Sequence, residues 1–182
     1  MRHLLGKYLR RFRRSEDGNA SVEFIIIAPL FITLVTMSIE LGFVTIRHTM
    51  LERGLDIAVR QIRLGTGDPG NHDQIKQVIC DNSVGVLLDC DGQLRLEMQP
   101  VDPRAYATLD ATPKCVENAH SVDPVDYDTD FTSGTANELM VLRACYRYDP
   151  IFPTEVMGSA MTKDDDGKPF IVSTTAFVQE PL

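Results

Sequence analysis

From Phe24 to Ile46 the chain reads FIIIAPLFITLVTMSIELGFVTI, and Glu40 is the one charge in those 23 residues. As a helix rising ~1.5 Å per residue, this run spans about 34 Å, enough to cross a hydrocarbon core of about 30 Å. Apolar residues occupy every face, a pattern suited to lipid or to the inside of a bundle. Past the run the pattern becomes one-sided. Leu51, Leu55, Ala58 and Ile62 recur at spacings of four, three and four, while Arg47, His48, Glu52, Arg53, Asp56, Arg60 and Arg63 fill most of the remaining positions. Asp56 and Arg60 form a favourable i, i+4 pair. One helix is therefore expected from about Val22 to Leu64, hydrophobic all round at first and amphipathic later. Gly54 weakens it by roughly 1 kcal/mol relative to Ala, and the breaker cluster from Gly65 to Gly70 (GTGDPG) ends it.

From Asn71 onward the periodicity is that of a small α+β domain. Asp73 to Cys80 predicts a short helix with Ile75, Val78 and Ile79 apolar. Leu94, Leu96 and Met98 alternate with Arg95, Glu97 and Gln99, as in a half-buried strand. Met140, Leu142, Ala144, Tyr146 and Tyr148 alternate likewise, and Pro150 and Pro153 stop that strand. Phe170 to Val178, rich in β-branched and aromatic residues, predicts a third strand, preceded by the Asp166-Gly167 turn. Pro100 to Thr135 is rich in Pro and Asp and reads as a long surface loop. GTGDPG matches G-x-G-x-x-G, but it follows a helix rather than a strand, which removes the dinucleotide reading.

Composition changes this picture in one respect. The chain has 182 residues, and its formal net charge of −8 argues against a nucleic-acid partner. The charge is unevenly placed. Residues 1–18 carry six basic side chains (Arg2, Lys7, Arg10, Arg11, Arg13, Arg14) against Glu16 and Asp17, and the remaining 12 basic and 24 acidic groups follow. The mean hydropathy of −0.09 thus averages a membrane-like helix with a polar domain. A purely soluble cytoplasmic protein does not fit. The positive-inside bias places residues 1–18 in the cytoplasm and the acidic part outside. The apolar run exceeds the 7–15-residue core of a cleaved secretory signal, and RHTMLERG after Ile46 offers no small-x-small site.

The order RRFRRSEDG, NASVEF, apolar run is more specific. Gly18 closes a charged leader, Glu23 stands five residues after it and Phe24 six. A carboxylate at a membrane edge is costly enough to be a functional candidate by default. The arrangement resembles class III prepilin signals, those of type IV pilins and pseudopilins. Glu23-Phe24 points to the tight-adherence (Tad) branch with its Flp-type pilins. Pro29 within the helix, Glu40-Leu41-Gly42 near its end and the large C-terminal region resemble the TadE-like minor pseudopilins, most strongly over about residues 10–64 and less specifically over Glu138 to Pro153.

The resemblance implies a pilin-like α+β fold, with a long N-terminal transmembrane and amphipathic helix and a small antiparallel-sheet periplasmic domain. It implies three parts: a basic cytoplasmic leader over residues 1–18, a stalk helix over 19–64 and a periplasmic domain over 71–182. A prepilin peptidase would cut between Gly18 and Asn19 at the cytoplasmic face of the bacterial inner membrane. Glu23 would then pair with the freed amine of Asn19 on a neighbouring subunit, two charges that compensate each other in lipid. The implied partners are that peptidase, other pilins and pseudopilins, and the inner-membrane assembly platform; no cofactor is implied. Pro29 reads either as an assembly feature or as a simple kink. Glu40 reads either as a contact to a partner subunit or the platform, or as a residue at the far interface.

Cys80, Cys90, Cys115 and Cys145 all follow the membrane segment, an even count in an oxidising compartment. Of the three possible connectivities, Cys80–Cys90 (a short local loop) with Cys115–Cys145 (the long loop tied to a central strand) is favoured. Zinc is disfavoured by the lack of C-x-x-C and the isolation of His72 and His120. Asp126, Asp128 and Asp130 are weak calcium candidates without EF-hand spacing. They and Asp164-Asp165-Asp166 are read as solvated loops. No G-x-S-x-G, H-E-x-x-H or P-loop lysine motif is present, so a non-enzymatic role is expected. The rival expectation is an uncleaved, signal-anchored periplasmic binding or adhesive module.

Overall fold

The computed structural model of the protein describes residues 19–64, 71–102, 104, 113, 115, 131–154, 156–164 and 166–180. Helix α1 spans Asn19–Arg63 and contains Pro29. It is long and apolar enough, by length and composition, to cross a membrane. The chain forms two compact bodies, Met1–Ile39 and Glu40–Leu182, and α1 contributes to both.

In the first body, the described side chains of α1 are mostly exposed, including Phe24, Ile25, Ile26, Leu30, Phe31 and Ile32. Its hydroxyls are turned back onto the helix. Thr33 donates to the Pro29 carbonyl at 2.9 Å, Thr36 to that of Thr33 at 3.0 Å, and Ser38 to that of Leu34 at 2.8 Å. Polar groups satisfied within their own helix suit a segment with no water around it.

The second body is an α+β head. Helix α2 spans His72–Asn82, the single-turn α3 spans Cys90–Gln93, β1 spans Leu94–Pro100, β2 spans Leu139–Arg147, the short α4 spans Val156–Ala160, and β3 spans Phe170–Val178. The strands form one antiparallel sheet in the order β1-β2-β3. Leu94 pairs with Tyr146, and Tyr146 with Ile171. The alternation read from the sequence sets the buried face: Leu94, Leu96, Met98, Met140, Leu142, Ala144, Tyr146, Ile171 and Phe177 join Leu51, Leu55, Ala58 and Val59 of α1 and Ile75 and Ile79 of α2 in one core. The other face is partly covered as well. Glu97 and Arg143, opposite each other across β1 and β2, form an ion pair at 3.4 Å with little exposure. Here β1 departs from a simple half-buried strand, because a paired charge can be buried where a lone one cannot.

Gly54 has a packing reason that its helix propensity hid. A Cβ there would lie 2.8 Å from the Ile79 carbonyl oxygen and 3.0 Å from Ile79 Cγ2. The missing side chain lets α2 cross α1 at backbone distance. Because the obstacle is backbone, relief requires moving a whole helix. Gly54→Ala is expected to destabilise the head by about 1–3 kcal/mol despite the better helix propensity of Ala, read as a lower urea midpoint.

Two elements were not foreseen. The turn α3 and the short α4 are too brief for a periodic signal. The former starts at Cys90, the residue that closes the Cys80–Cys90 loop. The latter packs so closely that a Cβ on Gly158 would lie 2.5 Å from the Phe152 carbonyl oxygen. Helix α2 also runs slightly beyond Asp73 to Cys80 at both ends.

Candidate functional site

The residues expected to direct processing and assembly lie at the start of α1. Gly18 is outside the described residues, and Asn19 is already helical. Glu23 falls one turn after Asn19, which places it on the same face of the helix as the start of α1. Glu23, Phe24 and Pro29 are all exposed. Among the described residues of its own body, this stretch has no polar face and no covering partner element. What it can do chemically is bury apolar surface against lipid or neighbouring helices, with Glu23 as a single directional charge inside that surface.

A second cluster forms where α1 enters the head. Glu40 is 1% exposed. Its Oε2 accepts the backbone N–H groups of Ile151, at 3.0 Å, and Phe152, at 3.1 Å. Both amides lie in the Pro-rich segment after β2. Glu40 reads from the sequence either as a contact to a partner subunit or the platform or as a residue at the far interface; the structure gives it hydrogen-bond partners in its own chain. A carboxylate bridging two adjacent amides acts as a clasp between α1 and the segment that Pro150 and Pro153 keep out of the sheet. The sequence signalled the odd charge but not its partners, because backbone amides look alike in any sequence.

Arg47, two turns after Glu40, is another correction. It was assigned to the polar face of the helix, yet it is 6% exposed. Its guanidinium carbon lies 4.8 Å from the Tyr148 ring centroid and 5.9 Å from that of Phe43. Stacking on aromatic faces lets a guanidinium be buried with part of its charge compensated. The Tyr148 hydroxyl lies 3.2 Å from Met161 Sδ, and the Tyr146 hydroxyl donates to the Leu88 carbonyl at 2.7 Å. Burial pushes both phenols above the ordinary tyrosine value, and the Arg47 charge opposes that shift. Both tyrosines are therefore neutral hydrogen-bonding groups at neutral pH.

The acidic run before β3 also departs from expectation. Asp164 is not solvated: its side chain is 3% exposed, Oδ1 accepts the Lys168 N–H at 2.7 Å, and Oδ2 meets Arg147 at 3.4 Å. Asp166 reaches the same guanidinium at 3.3 Å. Gly167, with φ of 79°, closes the turn, a conformation glycine adopts without penalty. The run thus seats Arg147 at the end of β2. Asp126, Asp128 and Asp130 lie outside the described residues.

Cys80 is bonded to Cys90 and Cys115 to Cys145, the connectivity favoured from the sequence. Cys145 projects from the sheet face opposite Ala144 and Tyr146, and both it and Cys115 are buried. The first bond holds α3 against α2, and the second ties Cys115 to β2.

Residues 18–60 match the family model of TadE-like proteins. The matched stretch begins at the expected cleavage residue and takes in Glu23, Phe24, Pro29, Glu40 and Gly54. No curated protein and no solved structure matches the chain.

Proposed function

We propose, for a chain that is TadE-like over residues 18–60, that it is a minor pseudopilin of a tight-adherence pilus. It inserts with residues 1–18 in the cytoplasm and the head in the periplasm. A prepilin peptidase cuts between Gly18 and Asn19, and α1 stays in the inner membrane as the assembly helix. There it packs laterally against other pilins, pseudopilins and the assembly platform. Glu23 sets register by pairing with the new amine of Asn19 on a neighbour. The role is structural: the chain supplies surfaces and one directional charge pair to pilus biogenesis. The observation carrying this reading is the coincidence of two things in one stretch. They are the family match that starts at Gly18 and an exposed helix with apolar residues on every side. A helix of that kind exists only where something apolar surrounds it.

Intact-mass measurement of membrane-expressed protein, with and without the host's prepilin peptidase, tests the processing step. A mature chain starting at Asn19 is expected only with the peptidase, and Gly18→Ala is expected to abolish it. A full-length chain under both conditions would leave an uncleaved, signal-anchored module as the correct reading. Glu23→Ala is expected to be cleaved normally yet to lose pilus assembly; normal piliation in that variant would refute the pairing role.

A further inference from the structure

We propose that the end of the head nearest Glu40 is itself a membrane-contact surface, with the loops Ser83–Asp89 and Asp149–Thr154 resting in the headgroup and upper acyl region of a phospholipid bilayer. This rests on the reading of α1 as a membrane-crossing helix and adds a second contact to it.

Within the Glu40–Leu182 body, α1 and β3 run in the same direction. A His48 ring nitrogen lies 3.3 Å from the Val172 carbonyl, the Gln179 amide donates to the Ile62 carbonyl at 3.4 Å, and Arg63 pairs with Glu180 at 3.2 Å. Residues 40–48 therefore mark the end at which β3 begins, β2 finishes and β1 begins. Both loops are anchored at that end. The Tyr146 hydroxyl holds the Leu88 carbonyl, and the Glu40 carboxylate holds the amides of Ile151 and Phe152.

The exposed large hydrophobics of the head gather at this end: Phe43 and Ile46 on α1, Val84 and Leu88 in the first loop, Ile151 in the second and Val156 at the start of α4. The opposite end shows Leu64 and Val178. Val84 and Leu88 are 66% and 69% exposed, and Val84 has φ of 55°, a left-handed conformation that β-branched residues avoid. A strained backbone that displays an apolar side chain to the outside points to a use for it.

Continuity identifies the occupant as lipid. The apolar run from Phe24 continues to Ile46, so its last turns already belong to this body. The Glu40 clasp holds the second loop level with those turns. Both loop tips, SVGVLL over residues 83–88 and PIFP over 150–153, are free of charge. Asp89, Asp149 and Glu155, at their margins in the sequence, limit entry to a shallow depth, as in interfacial segments that bury their apolar side only to the headgroup boundary. With Ile151 and Leu88 inserted, the head is seated on the bilayer by three contacts instead of one.

The chain contains no tryptophan, so a single introduced one reports alone. Full-length Ile32→Trp, Leu88→Trp, Ile151→Trp and Val178→Trp, each checked for intact disulfides on non-reducing gels, are reconstituted in phosphatidylcholine vesicles carrying bromines near the headgroup or near the chain ends. The expected result has three parts. Ile32→Trp is quenched most by chain-end bromines. Leu88→Trp and Ile151→Trp lose roughly half of their emission to headgroup-proximal bromines, as a depth of about 5–10 Å dictates. Val178→Trp is unaffected. Quenching of Ile32→Trp with Leu88→Trp and Ile151→Trp behaving like Val178→Trp would overturn this proposal and leave the membrane helix standing. An unquenched Ile32→Trp would overturn the membrane helix and this proposal with it. Emission shifts at 88 and 151 that follow protein density without bromine quenching would assign the surface to another protein copy and equally overturn it.

Discussion

Reduction of both disulfides is expected to unfold the head at room temperature in modest denaturant. The Cys80–Cys90 bond closes a sequence separation of 10 and the Cys115–Cys145 bond one of 30. By chain entropy these contribute about 3 and about 3.5 kcal/mol respectively. Domains of this size are stable by about 5–15 kcal/mol in all, so losing both removes from roughly two fifths of that to all of it. The head also lacks a deep core of its own: one three-stranded sheet is covered by one half of α1 and by α2. The Cys115–Cys145 pair is expected to matter more, being the longer loop. Urea titration of the full chain in detergent, with and without reductant, checks this, and Cys115→Ser with Cys145→Ser isolates the larger bond. A midpoint unmoved by reduction would mean that packing alone carries the head.

Glu40→Ala is expected to cost about 3 kcal/mol or more, a large effect for a residue inside an otherwise apolar run. The substitution removes the acceptor for two amides, each charge-assisted bond being worth about 1.5–3 kcal/mol without full additivity. Glu40→Gln keeps one oxygen acceptor and the side-chain shape, so a loss nearer 1 kcal/mol is expected. The paired variants separate two roles. A residue acting within its own chain shifts the urea midpoint of isolated protein in the order Ala then Gln. A residue acting only on a partner subunit leaves both midpoints at the wild-type value and changes pilus yield alone.

Glu40 shows where reading the chain by itself stops. Its cost in an apolar run was plain from composition, and so was the need for a partner. The partners are backbone amides 111 and 112 residues away in sequence, brought near only when β2 ends and Pro150 turns the chain back. Arg47 failed in the same way. Helical periodicity divides residues into two faces, but it does not show that Tyr148 and Phe43 will bracket one of the charges. Asp164 looked solvated because acidic runs usually are, until Arg147 at the end of β2 came within reach.

What the sequence determined by itself was whatever depends on local chemistry. The all-apolar helix from Phe24, the one-sided continuation through Leu51, Leu55 and Ala58 and the alternation of the three strands follow from residue type and spacing alone. The pairing of the cysteines followed from how short one loop is and which strand the other meets. Only the tertiary structure decided the close crossing at Gly54, the Glu40 clasp, the seating of Arg47 and the gathering of Val84, Leu88, Ile151 and Val156 at one end of the head. Those features depend on which distant backbone atoms arrive beside a side chain. Burial and hydrogen bonding are properties of that arrival, set by strand order and helix direction, and no residue type or spacing carries them.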